Sequence, residues 1–316
     1  MNVQQKKSSS WKWFLGIFIG IVLIVIVFFA AALFYFAGSL KHTEKTFYYE
    51  VSGSGSGKVA IVELDYTIID PESLVRQFKK YREDKSIKAI VLRINSPGGG
   101  VAASQEMYEE VKRTRDAGKP VVVSFGSIAA SGGFYVACGG SYIVANPGSI
   151  TGSIGVIAQF ITIKELADKI GIKETTVKTG KFKDSGDPFR ELNKDDLEYF
   201  QSVVNDSYEQ FLEVVSKERK IPMEQLKEIA DGRVFTGKQA LELKLVDTLG
   251  TYQDAIMIAA RLGKIEGEPA IVKEKVKRGI LDLLLESISQ NSLESIKNQL
   301  ETEYINKPIL QYKFEK

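Results

Sequence analysis

The sequence predicts an α/β fold with a largely parallel core, standing behind an N-terminal transmembrane helix. Three observations lead there. Between Lys58 and Leu262, short apolar runs rich in Val and Ile alternate with helical patterns, the signature of βαβ units. Ahead of them, Trp13 to Leu40 carries no charged residue, and about 20 apolar residues suffice to cross a bilayer as a helix. Finally, three Gly/Ser-rich loops, Ser96–Gly100, Ser127–Gly133 and Pro147–Gly152, each follow a strand-like run. In open α/β sheets the crevice outside the strand C-termini is where sites form.

The chain in order supports each part. Residues 1–12 are polar and hold Lys6, Lys7 and Lys12. Residues 13–40 form the expected anchor, with Trp11, Trp13 and Tyr35 near its ends, where aromatic belts form. Ala30-Ala31-Ala32 resembles a signal-peptide cleavage region, but the apolar run exceeds the roughly 7–15 residues of such a segment. Lysines before the helix keep the N-terminus cytoplasmic, and the rest of the chain then faces outward, although Lys41 and Lys45 lie on the far side. Residues 41–57 end in alternating Ser and Gly and read as a flexible linker. The domain follows over 58–262.

Within it, Val59–Leu64 is a buried strand, and Asp70-Pro71-Glu72 opens a helix through Tyr81. Lys88–Ile94 is a second strand. A helix runs from Gly100 to about Ala117, where Gly118-Lys119-Pro120 breaks it. Val121–Phe125 is the third strand, leading into Ala129-Ala130-Ser131-Gly132-Gly133 and a short helix. Ser141–Ala145, Gly155–Phe160 and Thr175–Lys178 read as further strands, with a helix at Ile163–Ile170. Apolar residues from Leu197 to Val215 recur at three- and four-residue spacing and predict one long helix over Lys194–Lys217. Met223–Ala230, Gly237–Leu243 and Tyr252–Leu262 are three more. Residues 263–316 hold an amphipathic helix from Ile280 to about Leu300 and an extended end, Ile309–Phe314. That end could lie in a substrate groove as an added strand, as a self-inhibitor or self-substrate.

Composition narrows the chemistry. Forty-two basic and 40 acidic residues give a net charge of +2, without the basic excess of a nucleic-acid binder. A single cysteine, Cys138, excludes an intramolecular disulfide and reads as a buried small hydrophobe. The only histidine, His42, lies in the linker. A Ser-His-Asp triad therefore has no histidine within the domain, and zinc sites of His and Cys are excluded. No cofactor is implied: the Gly-rich loops match neither phosphate-binding motif, G-x-x-x-x-G-K-[ST] or G-x-G-x-x-G after a first strand.

Ser131 sits at a strand-to-helix turn before two glycines, a geometry that can present a hydroxyl beside backbone N–H groups. The plainer reading is a turn where helix and sheet pack closely. An oxyanion hole would pair an N–H from the Gly98 region with that of Gly132, each donor worth roughly 3–4 kcal/mol in the transition state. Without histidine, the base must be an amine that is neutral when buried. Lys178, Lys181 and Lys183 lie in the irregular stretch Lys178–Arg190. Lys181 and Lys183 share a face if that stretch is extended, and the residues alone do not choose between them.

Five motifs in order resemble the signal peptide peptidase A (SppA) family: Asn95–Gly100, Ala130–Tyr135, Thr151–Ile157, Gly180–Arg190, and Gly232–Ala240 with Leu245-Val246-Asp247. The resemblance covers residues 58 to about 262 and is to the short Gram-positive form. It implies a Clp-protease/crotonase-like fold and a membrane-anchored Ser-Lys serine endopeptidase. It puts the nucleophile on Ser131, the general base on Lys183, the lysine-orienting hydroxyl on Ser153, and the oxyanion hole on Gly98 and Gly132. It also implies a homo-oligomeric ring whose neighbouring subunits complete the sites, at the cell membrane, with the catalytic domain extracellular. The implied substrates are signal peptide remnants and other short extended peptides. A crotonase-type acyl-CoA enzyme and a non-catalytic membrane scaffold are the alternatives on the same fold.

Overall fold

A computed structural model describes residues 10–40, 47–53, 55, 57–276 and 310–313. The chain divides into two units, Met1–Phe47 and Tyr48–Lys316. The first holds one helix, α1 (Ser10–Leu40, 31 residues). Its side chains are described from Trp13 to Phe29 and are exposed and apolar all around. Among the described residues, no helix meets the length and hydropathy needed to cross a membrane.

The second unit runs β1 (Phe47–Ser52), β2 (Lys58–Leu64), α2 (Glu72–Glu83), β3 (Ile87–Ser96), β4 (Gly98–Gly100), α3 (Val101–Asp116), β5 (Val121–Ala130), α4 (Gly132–Ala137), β6 (Tyr142–Ala145), β7 (Ile150–Gly152), β8 (Ile157–Ala158) and α5 (Lys164–Lys169). It continues with α6 (Lys194–Arg219), α7 (Met223–Ile229), β9 (Val234–Thr236), α8 (Gly237–Glu242), β10 (Thr248–Leu249), α9 (Tyr252–Leu262), β11 (Ala270–Val276) and β12 (Leu310–Lys313). The main sheet has the order β1-β11-β2-β3-β5-β6-β10, and β7 joins β5 to β9. The pairs from β11 through β10 are parallel. A second, three-stranded sheet has the order β4-β12-β8.

Both faces of the main sheet are covered. Ala60, Val62 and Leu64 of β2 point into a core shared with α2, α3, α4 and α6. Val59 and Ile61 point the other way, onto Ala255, Ile256, Ala259 and Ala260 of α9. Period-two alternation delivers successive side chains to opposite faces, and a strand buried on both faces must be apolar throughout. That is why these strands are continuous Val/Ile runs in the sequence.

Capping residues fix the helix starts. Asp70 accepts from the Glu72 N–H at 2.8 Å. Asn193 and Asp196 form a reciprocal box that opens α6, and Thr251 with Asp254 does the same for α9. From α6, Phe211 reaches the ring of Tyr135 on α4, centroid to centroid 5.0 Å, and Tyr135 meets Tyr108 of α3 at 5.3 Å. This aromatic stack ties the long helix to the short one that follows Ser131.

Several expectations need correction. The linker expected at 41–57 is shorter: Phe47–Ser52 is a strand beside β11, and a Cβ on Gly55 would lie 2.1 Å from the Glu268 carbonyl. Glycine there permits close packing rather than only free motion. The domain also runs past 262, because β11 pairs with β2 from Ala270 to Lys273. Thr175–Lys178 is not a strand; its β-branched residues have no neighbour to pair with, and Val177 is 95% exposed. Of Gly155–Phe160 only Ile157–Ala158 is strand. The helix expected over 280–300 lies outside the described residues.

Because Phe211 is fully buried in that stack, Phe211→Ala is expected to cost about 3–5 kcal/mol. Urea denaturation would show it as a lower midpoint with an unchanged slope.

Candidate active site

Strand β5 builds the site. Its first half pairs with β6 (Val122–Ser124 against Tyr142–Val144), and its last residues pair with β7 (Ile128–Ala130 against Ile150–Gly152). Beside the change of partner, β3 and β5 shift register between Ile94 and Ser96. Asn95 bridges the irregularity: its Oδ1 accepts from the Ser127 N–H at 3.1 Å and the Ile128 N–H at 3.3 Å. Gly126 must be glycine, since a Cβ there would meet the Asn95 side chain at 2.8 Å.

The strand ends on Ser131, which has φ 52° and ψ −116°. Only glycine occupies that region without strain. The Ser131 N–H donates to the Gly152 carbonyl at 2.8 Å, and its carbonyl accepts from the Tyr135 N–H at 2.8 Å. The residue is thus pinned between β7 and α4. Ser131 Oγ is buried and has no hydrogen-bond partner among the described residues, although buried hydroxyls nearly always find one.

Ser153 follows β7 and also has a positive φ, 51°. It is 7% exposed, and its N–H donates to the Arg233 carbonyl at 2.8 Å. The turn before it requires Gly152, where a Cβ would strike the Phe235 ring at 2.6 Å. Ser131 and Ser153 are therefore brought together by the β5–β7 pairing. Beside Ser153 opens a cleft of about 570 Å³ lined by Ile157, Val204, Asn205, Tyr208 and Asp231, among others.

The glycine loop lies across from them. Ser96 pairs with Ala129 in register, which sets Gly98–Gly100 beside the Ser131 turn. Ile68 donates to the Gly98 carbonyl at 2.8 Å and accepts from the Gly100 N–H at 2.7 Å. A Cβ on Gly99 would lie 1.9 Å from the Ile68 carbonyl oxygen. The Gly98 N–H donates to Ser96 Oγ at 3.2 Å, and that hydroxyl donates to the Tyr66 carbonyl at 2.5 Å. The Gly132 N–H stands at the first turn of α4, where helix N–H groups have no intrahelical acceptor.

Between β4 and β8 lies a single strand, β12. It pairs antiparallel with both, Gln311, Tyr312 and Lys313 against Gly100, Gly99 and Gly98, and Leu310 and Gln311 against Ala158 and Ile157. It also runs against α4. The slot is one strand wide and passes the Ser131 turn, as the extended tail suggested.

The lysine segment is set apart from this centre. Lys183 is exposed, and no hydrogen bond joins it to Ser131 or Ser153 among the described residues. Lys181 pairs with Asp195 at 2.5 Å and lies over the Phe182 ring. Lys178 holds Asp184 at 2.7 Å. Among the described residues, none of the three lysines of this stretch is buried. Hydrogen bonds from Arg190 and Ser185 hold the Asp196 carboxyl well below its ordinary range, and Lys178 with Arg190 does the same for Asp184. Cys138 is free and buried, its thiol pushed up to about 12 by desolvation, which makes it inert. Among the described residues no group of His, Cys, Asp and Glu could hold a metal.

A strained serine turn at the edge of a parallel sheet, beside a one-strand slot, is the geometry expected of a serine protease of the Clp-protease type. Family comparison agrees: residues 65–149 match the Clp protease model and 113–266 match peptidase family S49. The chain is 43% identical over 210 residues to "Putative protease slr0021" of Synechocystis sp., covering 66% of this chain and 76% of that one. It is 33% identical over 234 residues to "Putative signal peptide peptidase SppA" of Enterococcus faecium, covering 70% and 67%. "Protease 4" of Haemophilus influenzae is 36% identical over 214 residues, covering 65% of this chain but 35% of that longer one. The chain belongs to peptidase family S49, among the SppA-like serine proteases.

Sequence reasoning missed Asn95, whose role depends on a register shift, and β8, which is two residues long. It also missed the Arg190–Asp196 contacts, which span turns without periodicity.

Two outcomes follow from the strained serine and the lowered carboxylates. Ser131→Gly removes both the strain and a buried unpartnered hydroxyl, and is expected to raise stability by roughly 1–2 kcal/mol while abolishing activity; Ser131→Ala should gain less, because it keeps the strain. Denaturant titration would rank the three. Folded pKa values below the unfolded ones mean that Asp184 and Asp196 contribute stability fully above about pH 4, lost as the pH falls further. Hydrogen-exchange protection over 178–196, corrected for the pH dependence of the intrinsic rate, should therefore hold through neutral pH and fall on acidification below that.

Proposed function

We propose that the protein is a membrane-anchored endopeptidase in which Ser131 attacks extended peptides and Lys183 of a neighbouring copy is the general base. The observation that carries this is the one-strand slot between Gly98–Gly100 and Ile157–Ala158, beside an unpaired Ser131 hydroxyl. A peptide added there as a strand gains main-chain hydrogen bonds on both sides, which favours extended, unfolded substrates.

Two features support Lys183 over Lys181. Lys181 is paired with Asp195, whereas the Lys183 amine has no carboxylate partner among the described residues. In addition, Ile161, Leu166, Ile170, Ile172 and Val177 are exposed along the same arm. An apolar patch of this kind is a surface for another subunit, here a second copy in a closed ring. Contact would bury Lys183 and lower its pKa towards about 7–8, where a lysine can serve as base. Ser153 would accept or donate at that amine and orient it.

The chemistry then follows. Ser131 Oγ bonds to the peptide carbonyl carbon and gives its proton to the Lys183 amine. Negative charge builds on the carbonyl oxygen, facing the N–H groups of Gly99 and Gly132; the Gly98 N–H, expected as the loop donor, is already taken by Ser96 Oγ. The ammonium returns its proton to the departing amine as the C–N bond breaks. A water deprotonated by the same lysine then releases the acyl group and restores Ser131.

The 31-residue helix α1, about 45 Å long at the usual rise, and the absence of charge from Trp13 to Leu40 support an anchor with the catalytic domain outside. Signal peptide remnants left in the bilayer suit a site tethered at its surface. Leu310–Lys313 would compete for the slot as a self-inhibitor.

Lys183→Ala should lower kcat by about 10²–10⁴, the range for a general base, while Lys181→Ala stays near the parent. Activity retained by Lys183→Ala and lost by Lys181→Ala would move the base to Lys181. Mixing inactive Ser131→Ala and Lys183→Ala chains during assembly should restore about a quarter of the sites if serine and lysine come from different copies of a ring, and none if they do not. A chain ending near residue 280 should cleave short peptides with a lower KM; unchanged activity and assembly would remove the tail from the mechanism.

A further inference from the structure

We propose that Arg190 and Asp196 are positioning residues for the base: they clamp the turn bearing Lys183 onto the start of α6 and, with Lys178, neutralise Asp184 beside it. This rests on the reading of Lys183 as the general base.

The turn has little of its own to hold it. From Gly180 to Arg190 the backbone makes four single-turn hydrogen bonds, Lys183 to Gly180 at 3.3 Å, Ser185 to Phe182 at 3.1 Å, Asp187 to Asp184 at 3.1 Å and Arg190 to Asp187 at 3.3 Å. Phe182 stacks on Tyr199 of α6, centroids 5.3 Å apart. The polar anchor is Asp196, 1% exposed. Its carboxylate accepts from Arg190 Nη1 at 2.6 Å, Arg190 Nη2 at 3.1 Å, Ser185 Oγ at 2.5 Å and the Asn193 N–H at 3.0 Å. Charge-assisted, two-pronged contacts of this type fix direction as well as distance. Ser185 is two residues from Lys183, so the clamp sets where the lysine stem leaves the turn.

A helix cap alone would not need the rest of the cluster. Arg190 Nη2 also reaches Asp184 at 3.0 Å, and Lys178 Nζ reaches the same oxygen at 2.7 Å. Asp184 is the chain neighbour of Lys183. A free carboxylate there would favour the ammonium form and raise the amine's pKa, which opposes its use as a base. Lys178 and Arg190 occupy that carboxylate, so the four charges Lys178, Arg190, Asp184 and Asp196 balance. Of the other charged groups near the turn, Lys181 pairs with Asp195 at 2.5 Å, Asp187 accepts from the Phe189 N–H at 2.7 Å without a cation among the described residues, and Glu191 is exposed. The arrangement leaves Lys183 as the one cation of the turn without a carboxylate partner among the described residues.

The test uses the full-length, assembled protein and a peptide substrate across pH. Arg190→Gln is expected to lower kcat at neutral pH at least about tenfold with KM within about twofold, as for a displaced catalytic group. Asp184 keeps Lys178 but loses one of its two cations, so the cluster gains a net negative charge beside Lys183 and the rising limb of the kcat profile moves alkaline by about one pH unit. Adding Asp184→Asn to Arg190→Gln should bring that limb back, and Arg190→Lys should fall between parent and Arg190→Gln. A loss of activity that only matches the loss of folded, assembled chain, with the pH profile unmoved, would make the cluster structural and overturn the proposal. So would a limb that Asp184→Asn fails to restore. If Arg190→Gln does not fold, Ser185→Ala removes a single bond of the clamp and should give a smaller fall in kcat with KM unchanged; parent kcat in a folded Ser185→Ala would count against the clamp. Activity in Lys183→Ala would instead sink the base assignment itself.

Discussion

The bond from the Ser131 N–H to the Gly152 carbonyl, 2.8 Å long, is the constraint on which the site depends. It closes the end of β5 onto β7 and holds Ser131 in a backbone region that costs of order 1–3 kcal/mol for a residue with a side chain. Nothing local would keep a serine there. The cost is carried by elements that are themselves over-determined: β5 clasped between β3 and β7, Asn95 across the register shift, and α4 wedged by Tyr135 against Phe211. With Ser131 fixed, the positions of Ser153 and the Gly98 loop follow from the sheet. Ser153 comes next along β7, and the Gly98 loop follows from Ser96 lying opposite Ala129.

The same sheet edge explains the one-strand slot. Gly98 and Gly100 spend their inward C=O and N–H on Ile68, so Gly99 turns its own pair the other way, to β12. Glycine is required because any Cβ at 99 would collide with Ile68. An edge so exposed is an aggregation hazard. Here Leu310–Lys313 covers it, and a tail that protects the edge is also a strand that must leave before another can enter. If peptides bind in this slot as proposed, protection and inhibition would be one contact rather than two devices.

What was legible in the sequence was whatever periodicity or a count could carry. Parallel strands buried on both faces gave Val/Ile runs, the three-four spacing from Leu197 to Val215 gave α6, and the lone histidine at position 42 removed the usual base. The three loops were legible as a group because each followed a strand. The short pieces were not. β7, β8, β9 and β10 span two or three residues each, and their pairing comes from tertiary position rather than propensity. Thr175–Lys178 is the converse case, strong β composition with no strand to pair with. The Gly/Ser stretch before Lys58 was read as flexible on composition, yet Gly55 is glycine for close packing as well.

The lysine is where sequence and fold part company most instructively. A base lysine must be neutral, neutrality needs burial, and Lys183 is exposed in the single chain. Ser131 shows the complementary deficit, a buried hydroxyl with no partner. Each is unfavourable in isolation: an apolar arm in water on one side, an unpaired polar atom in the core on the other. Both deficits vanish if one copy's arm covers another copy's site. An enzyme divided in the way proposed would be inert until it assembles, so a newly made chain would not cut peptides indiscriminately. It also places a demand on the arm that a self-contained site would not: the lysine must be aimed by its own subunit before the partner arrives. A turn with few contacts of its own cannot meet that demand, so the buried carboxylate at the start of α6, gripped by Arg190, becomes the means by which a surface segment acquires the precision of a core residue.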